Sequence, residues 1–288
     1  MDYVAPRSIG EAVTVLARAN SGAQVLAGGT DLIVQMKTGR KGPDLLVDIK
    51  KIPEANAIER EADGGIRIGA ATPIAKLARN ADFATAWPGL LEAARLIGSE
   101  QIQGRATIGG NLCNASPAAD TIPPLFCAEA SCEVAGPTGM RHVPVEDIPD
   151  GPGRTSLGPG EFLVSIHLPR PAKRSNLNYI RFIPRTEMDI AVVGAAVGLT
   201  VDDKGICVAA RVALGAVAPT VILVKPAADS MLGSDLGDDV VRAVESAARE
   251  ACNPIDDMRG TADFRIHVAG VLAARAMKAA ADGARACA

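Results

Sequence analysis

The chain has 288 residues, 48% hydrophobic and 22% charged, with a formal net charge of −3, so more than one domain and a buried core are expected. No basic excess marks a nucleic-acid or anionic-membrane partner, and 3% aromatic residues leave no stacking platform for single strands. Apolar runs such as 190–199 are too short to span a bilayer, and Met1-Asp2-Tyr3-Val4-Ala5-Pro6 does not open a signal peptide, so the chain reads as cytoplasmic.

Ser8-Ile9-Gly10-Glu11 predicts a capping box, followed at helical spacing by Ala12, Val13, Leu16 and Ala17. Residues 25–27 read as a short strand entering the glycine loop Ala27-Gly28-Gly29-Thr30-Asp31-Leu32, and 31–37 as a short helix. Residues 44–49 read as a strand buried on both faces, completing a βαβ-like rhythm. From about residue 56 a second lobe is expected. It has a strand at 66–69, a helix opened by Thr72-Pro73, and a helix over 88–97.

The stretch Thr107-Ile108-Gly109-Gly110-Asn111-Leu112-Cys113-Asn114 reads as a second glycine loop. Ser116-Pro117 then reads as the cap of a helix over 117–126. Strands at 131–135 and 140–143 flank a hairpin turn at Gly136-Pro137-Thr138-Gly139. Residues 150–160 read as an irregular loop, and 161–168 as a strand with Phe162, Val164, Ile166 and Leu168 alternating. The basic, proline-bearing stretch 169–175 is a candidate boundary. Beyond it lie strands at 177–183, 190–201 and 206–214 and helices at 226–231, 238–251 and 261–281, which describe a separate α+β lobe.

The six cysteines, Cys113, Cys127, Cys132, Cys207, Cys252 and Cys287, show no Cys-x-x-Cys spacing, so no metal or iron–sulfur cluster is expected on this chain. His142, His167 and His267 are isolated in sequence and read as surface or strand residues. No Gly-x-x-x-x-Gly-Lys-Ser/Thr is present, which excludes a P-loop NTPase. What remains is a pair of glycine loops after apolar segments, furnished with hydroxyl and amide side chains. Successive amides in such loops hold anions, so two loops suggest two clamps on one phosphate-bearing ligand.

These two loops, with Ala115-Ser116-Pro117-Ala118-Ala119-Asp120, resemble the FAD-binding medium subunit of the molybdenum hydroxylases. That family includes xanthine, carbon monoxide and nicotinate dehydrogenases. The resemblance continues through Arg185-Thr186-Glu187-Met188-Asp189-Ile190-Ala191, Ala213-Leu214-Gly215-Ala216-Val217-Ala218-Pro219-Thr220 and Pro254-Ile255-Asp256-Asp257-Met258-Arg259-Gly260-Thr261-Ala262-Asp263-Phe264-Arg265. It implies an α+β chain: a two-lobed FAD-binding domain of the vanillyl-alcohol-oxidase (PCMH) type over 1–170, with lobes 1–55 and 56–170. A C-terminal α+β lobe over 176–288, a three-stranded antiparallel sheet with helices, would follow.

The resemblance also implies roles. Val25, Leu26, Ala27, Gly28, Gly29, Thr30, Asp31 and Leu32 would wrap the FAD pyrophosphate. Gly98, Thr107, Ile108, Gly109, Gly110 and Asn111 would hold the other side, with Cys113 a small filler beside them. Asp120 would bond ribityl or ribose hydroxyls, since a carboxylate beside two phosphates is repelled. Leu163 would lie near the flavin, and Arg181 and Arg185 near the isoalloxazine, where a cation favours a reduced, anionic ring. For both arginines a solvated strand edge is the alternative reading. No residue of this chain is assigned as a catalytic acid or base.

The implied complex is a heterotrimer, dimerised. A large subunit would carry molybdopterin, and a small subunit 2Fe-2S clusters that feed FAD here. NAD+, a quinone, oxygen or another acceptor would take the electrons. Neither loop contains a histidine, the usual covalent attachment point, so the FAD would be non-covalent. Two departures stand out: Gln103-Gly104-Arg105 before the second loop, and Thr30-Asp31 where carbon monoxide dehydrogenases commonly show His-Ser. A self-sufficient flavin oxidase or reductase of the same fold is the rival reading.

Overall fold

Ser8 caps the first helix of the computed structural model as expected, while the return bond from Glu11 falls on Arg7, one residue before the cap. Ser8 Oγ accepts the Glu11 amide at 3.2 Å, and the Glu11 carboxylate accepts the Arg7 amide at 2.8 Å. The helix runs Ile9–Ala19 and buries Ala12 and Leu16. The structure describes residues 1–19, 22–186 and 188–286, so Glu187 and Cys287 lie outside the described residues. Unit 1 comprises Met1–Ala84, Ser99–Ala115 and Glu129–Arg170; unit 2 comprises Thr85–Gly98, Ser116–Ala128 and Pro171–Ala288.

In unit 1, β1 (Asp2–Val4), β2 (Ala23–Leu26) and β3 (Leu45–Asp48) form a parallel sheet in the order β1-β3-β2. Parallel neighbours need crossovers, which the helices Ile9–Ala19 and Leu32–Lys37 supply. Leu26 stands opposite Asp48, so both strands end at the first glycine loop.

The other sheet of unit 1 is antiparallel. Its members are β4 (Ile58–Arg60), β5 (Ile66–Gly69), β6 (Ser131–Gly136) and β7 (Gly139–Pro144). Gly136 pairs with Gly139 across the expected hairpin turn. Residues 150–160, expected as irregular loop, contain a small ribbon of β8 (Pro149–Gly151) and β9 (Arg154–Thr155). Gly151 and Gly153, at φ +143° and +70°, let the chain return tightly there. The central strand β10 (Phe162–Leu168) completes the order β4-β5-β10-β6-β7. Between Leu163 and Ser165 its register shifts against β6.

Unit 2 is built on β11 (Ser175–Phe182), β12 (Val193–Val201), β13 (Cys207–Gly215) and β14 (Ile222–Leu223), antiparallel in that order. The two-residue β14 is too short to leave a periodic signal, which is why three strands were expected. β12 is covered on both faces. Val193, Ala195, Val197 and Leu199 join the core with Ala269, Ala273, Ala276 and Ala280 of the helix Ala262–Ala286. On the opposite face, a Cβ on Gly198 would sit 3.1 Å from the Cys127 carbonyl oxygen. Cys127 ends the wholly buried helix Ile122–Cys127. The helix expected over 117–126 therefore starts only at Ile122.

Candidate functional site

In the first loop Gly29 adopts φ +79°, which a side chain would oppose. A Cβ on Gly28 would lie 2.1 Å from the Arg105 carbonyl oxygen and 3.1 Å from Ala106 Cα. Gly28 thus brings the first loop against the backbone that leads into the second. A Cβ on Gly110 would lie 3.9 Å from Ala27 Cβ, so the loops meet there again. Gln35 Nε2 donates to Asn114 Oδ1 at 2.8 Å, tying together the helices that leave the two loops.

The second stretch differs from its expectation. Gly109 and Gly110 lie inside a short helix, Ile108–Asn114, and the positive φ falls on Ala115 at 48°. Thr107 is the N-cap, its Oγ1 accepting the Gly110 amide at 2.8 Å. Ser116, expected as a helix cap, closes only a local turn by accepting the Ala118 amide at 3.3 Å. Glycine costs a helix roughly 1 kcal/mol against alanine, so a second requirement must hold two of them here. At Gly109 it is contact: a Cβ would lie 2.5 Å from the Ala70 carbonyl oxygen. Ala70 is fixed in turn, its amide donating to the Val164 carbonyl at 2.8 Å. Leu163, the neighbour of Val164 in β10, is buried and pairs with Val134 of β6.

Among the described residues, the amides of Gly28, Gly29, Thr30, Asp31 and Gly109 donate to no protein acceptor. Gly28 and Gly109 are buried residues, where an unpartnered amide is costly. A run of such amides is the donor set that a diphosphate needs, so these residues fit the pyrophosphate of FAD. Val25 and Leu26 end the strand that carries the loop, Leu32 opens the following helix, and Asp31 is exposed. Asn111 donates its amide to the Thr107 carbonyl at 3.0 Å. Desolvation pushes the Cys113 thiol up to about 12, which leaves it protonated and unreactive at neutral pH.

Gly98, Asp120, Arg181 and Arg185 belong to unit 2. Gly98 adopts φ +60°. Asp120 accepts from Arg181 Nη1 at 2.6 Å and from the Tyr179 hydroxyl at 2.9 Å. The Arg181 side chain is 6% exposed, which rules out a solvated strand edge. Burial pushes the Asp120 carboxyl up, opposed by the Arg181 charge and the bond from Tyr179. Tyr179 was missed in the sequence; its signal was the two-residue spacing from Arg181, which puts both on one face of β11. Arg185 is exposed and pairs with Asp189 at 3.1 Å. Among the described residues no group of three or more His, Cys, Asp or Glu side chains could hold a metal ion, and no helix is long and apolar enough to cross a membrane.

The family model of the FAD binding domain in molybdopterin dehydrogenase matches residues 1–171, and that of the CO dehydrogenase flavoprotein C-terminal domain matches 178–280. The carbon monoxide dehydrogenase medium chain of Hydrogenophaga pseudoflava is 35% identical over 279 residues, 97% of this chain and 96% of its own. The putative xanthine dehydrogenase FAD-binding subunit of Escherichia coli K12 is 31% identical over 267 residues, 92% of this chain and 91% of its own. Among solved structures, carbon monoxide dehydrogenase from H. pseudoflava superposes with a TM-score of 0.94 at 35% identity, covering 98% of both chains. Quinoline 2-oxidoreductase from Pseudomonas putida 86 gives 0.91 at 29% identity, covering 99% of this chain and 98% of that one.

Proposed function

We infer the function from the family to which the chain belongs, that of the FAD-binding medium subunits of the molybdenum hydroxylases. It is an oxidoreductase component that carries FAD in a multi-subunit complex. When bound, the flavin supplies the redox chemistry, taking electrons from one side and delivering them to an acceptor on the other. The chain's own residues bind and orient. The amides of Gly28, Gly29, Thr30 and Asp31 face the diphosphate from one loop and the Gly109 amide from the other. Thr107 holds the first turn of its helix in place for that contact. The observation that carries the reading is this run of unpartnered amides at two loops packed backbone to backbone.

The finer reading has three parts. The cofactor is non-covalent, because neither loop offers a histidine. Molybdopterin sits on a large partner subunit and 2Fe-2S clusters on a small one, so the substrate is chosen elsewhere. NAD+, a quinone or oxygen takes the electrons. For Asp120 and Arg181 we assign a part within unit 2, each holding the other's charge while the Tyr179 hydroxyl donates to the other Asp120 oxygen.

Flavin analysis of the purified full chain tests this. Yellow protein should release intact FAD on acid precipitation, and its colour should bleach with substrate only when the partner subunits are present. A folded chain that takes up no FAD overturns the reading. Bleaching of the isolated chain by substrate would favour a self-sufficient flavoenzyme.

A further inference from the structure

We propose that Lys50 is a positioning residue: it turns the Ala27 carbonyl away from the diphosphate and so aims the Gly28 amide toward it. The inference rests on the reading of the first loop as a diphosphate cradle. Lys50 Nζ donates to the Ala27 carbonyl oxygen at 2.9 Å. That carbonyl and the Gly28 N–H belong to one trans peptide plane, where they point in opposite directions. Fixing one fixes the other. The Gly28 amide, opposite the lysine, has no protein acceptor. Left free, the same peptide could flip and present carbonyl lone pairs to an anion, which would repel it.

The lysine is itself held. β2 and β3 end in register at Leu26 and Asp48, so Ala27 and the 3-10 turn Ile49–Lys51 leave the sheet side by side. Asp48 caps that turn, accepting the Lys50 amide at 3.0 Å, and pairs with Lys50 Nζ at 2.7 Å. Its second oxygen accepts the Tyr3 hydroxyl at 2.7 Å. Burial pushes the Asp48 carboxyl up, but the bonds from Lys50 and Tyr3 outweigh it and hold the group below its ordinary range. Tyr3, Asp48 and Lys50 thus form a relay from β1 through β3 to the loop.

The test is FAD titration of the full chain after reversible removal of flavin, with wild type, Lys50→Met and Lys50→Arg compared at low and high salt. Loss of one charge-assisted hydrogen bond should raise the Kd for FAD roughly tenfold in Lys50→Met. Lys50→Arg should restore most of the affinity; the Lys50→Met apoprotein should melt a few degrees lower, because Asp48 loses its partner, yet stay folded. The ratio of mutant to wild-type Kd should persist as salt rises, because a bond to a carbonyl is not screened as a distant charge is. Equal affinity in Lys50→Met and wild type overturns the proposal. So does a ratio that vanishes at high salt, which would assign the lysine a direct pull on the phosphates. So does a Lys50→Met Kd that returns to the wild-type value when the titration is run far below the melting temperature of both apoproteins, which would assign the loss to unfolding. A wild-type chain that binds no FAD overturns the cradle itself, and is thereby distinguished from failure of the lysine's role alone.

Discussion

The glycines of the two loops carry different burdens. Cβ atoms at Gly28 and Gly109 would strike backbone atoms at 2.1 and 2.5 Å, and backbone cannot swing aside. Gly28→Ala and Gly109→Ala should therefore destabilise unit 1 by about 1–3 kcal/mol, the usual cost of overpacking, seen as a lower melting temperature before any flavin is added. At Gly110 the nearest obstacle is the Thr107 hydroxyl at 2.8 Å, a side chain that can turn. Gly110→Val should give a folded chain with little FAD; wild-type flavin content in that variant would count against the cradle. Glu161 is held by three bonds. Arg141 donates to both of its oxygens at 2.8 Å and the Gly158 amide adds a third bond at 2.7 Å. These bonds, that from Arg141 first, hold the carboxyl below its ordinary range. A depressed carboxylate stabilises above its unfolded value, about 4.3, and loses that contribution as pH falls through the folded value. Glu161→Gln should thus cost about 1 kcal/mol at pH 7, with the difference from wild type closing in acid; parallel melting curves at every pH would refute this.

At the scale of elements, the helix Ile108–Asn114 depends on its cap because two of its seven residues are glycine. Thr107→Ala should cost about 1 kcal/mol and weaken flavin binding, and Thr107→Ser should recover most of both. In unit 2 the start of the helix Ala262–Ala286 is pinned by Arg265, which is 4% exposed. It donates to the Val192 carbonyl at 2.7 Å, the Ala216 carbonyl at 3.3 Å and Asp257 at 2.6 Å. Ala216 sits at φ +63°, so its carbonyl is aimed by an unusual backbone turn. Arg265→Met should cost about 1–3 kcal/mol, because it leaves two carbonyls without this donor and takes one of its partners from Asp257, to which the Arg259 amide still donates at 2.8 Å; a melting temperature within a degree or two of wild type would argue against it. Long elements with a clear period, such as the first helix and β11 to β13, were legible in the sequence. The two-residue strands β9 and β14 were not, since they carry no period and arise from what lies beside them.

At the scale of the whole molecule, the sequence determined the family, because the two glycine loops and the later motifs recur in order along nearly the entire chain. It determined where the strand leading into the first loop lies and that a second glycine stretch follows in the chain. Tertiary structure alone decided the rest. Segments 85–98 and 116–128 belong to unit 2 although unit 1 flanks them in the chain, a division no composition shift marks. The second glycine pair is the start of a helix capped by Thr107 rather than a turn, and Gly109 is a glycine because Ala70 leaves no room for a side chain. Asp120 is bound to Arg181 and Tyr179 across some sixty positions of sequence. The physical reason is the same throughout. Local pattern fixes what a residue can do with its neighbours in the chain, whereas the close approach of two backbones, or the partner of a buried charge, depends on which distant segment folding brings alongside.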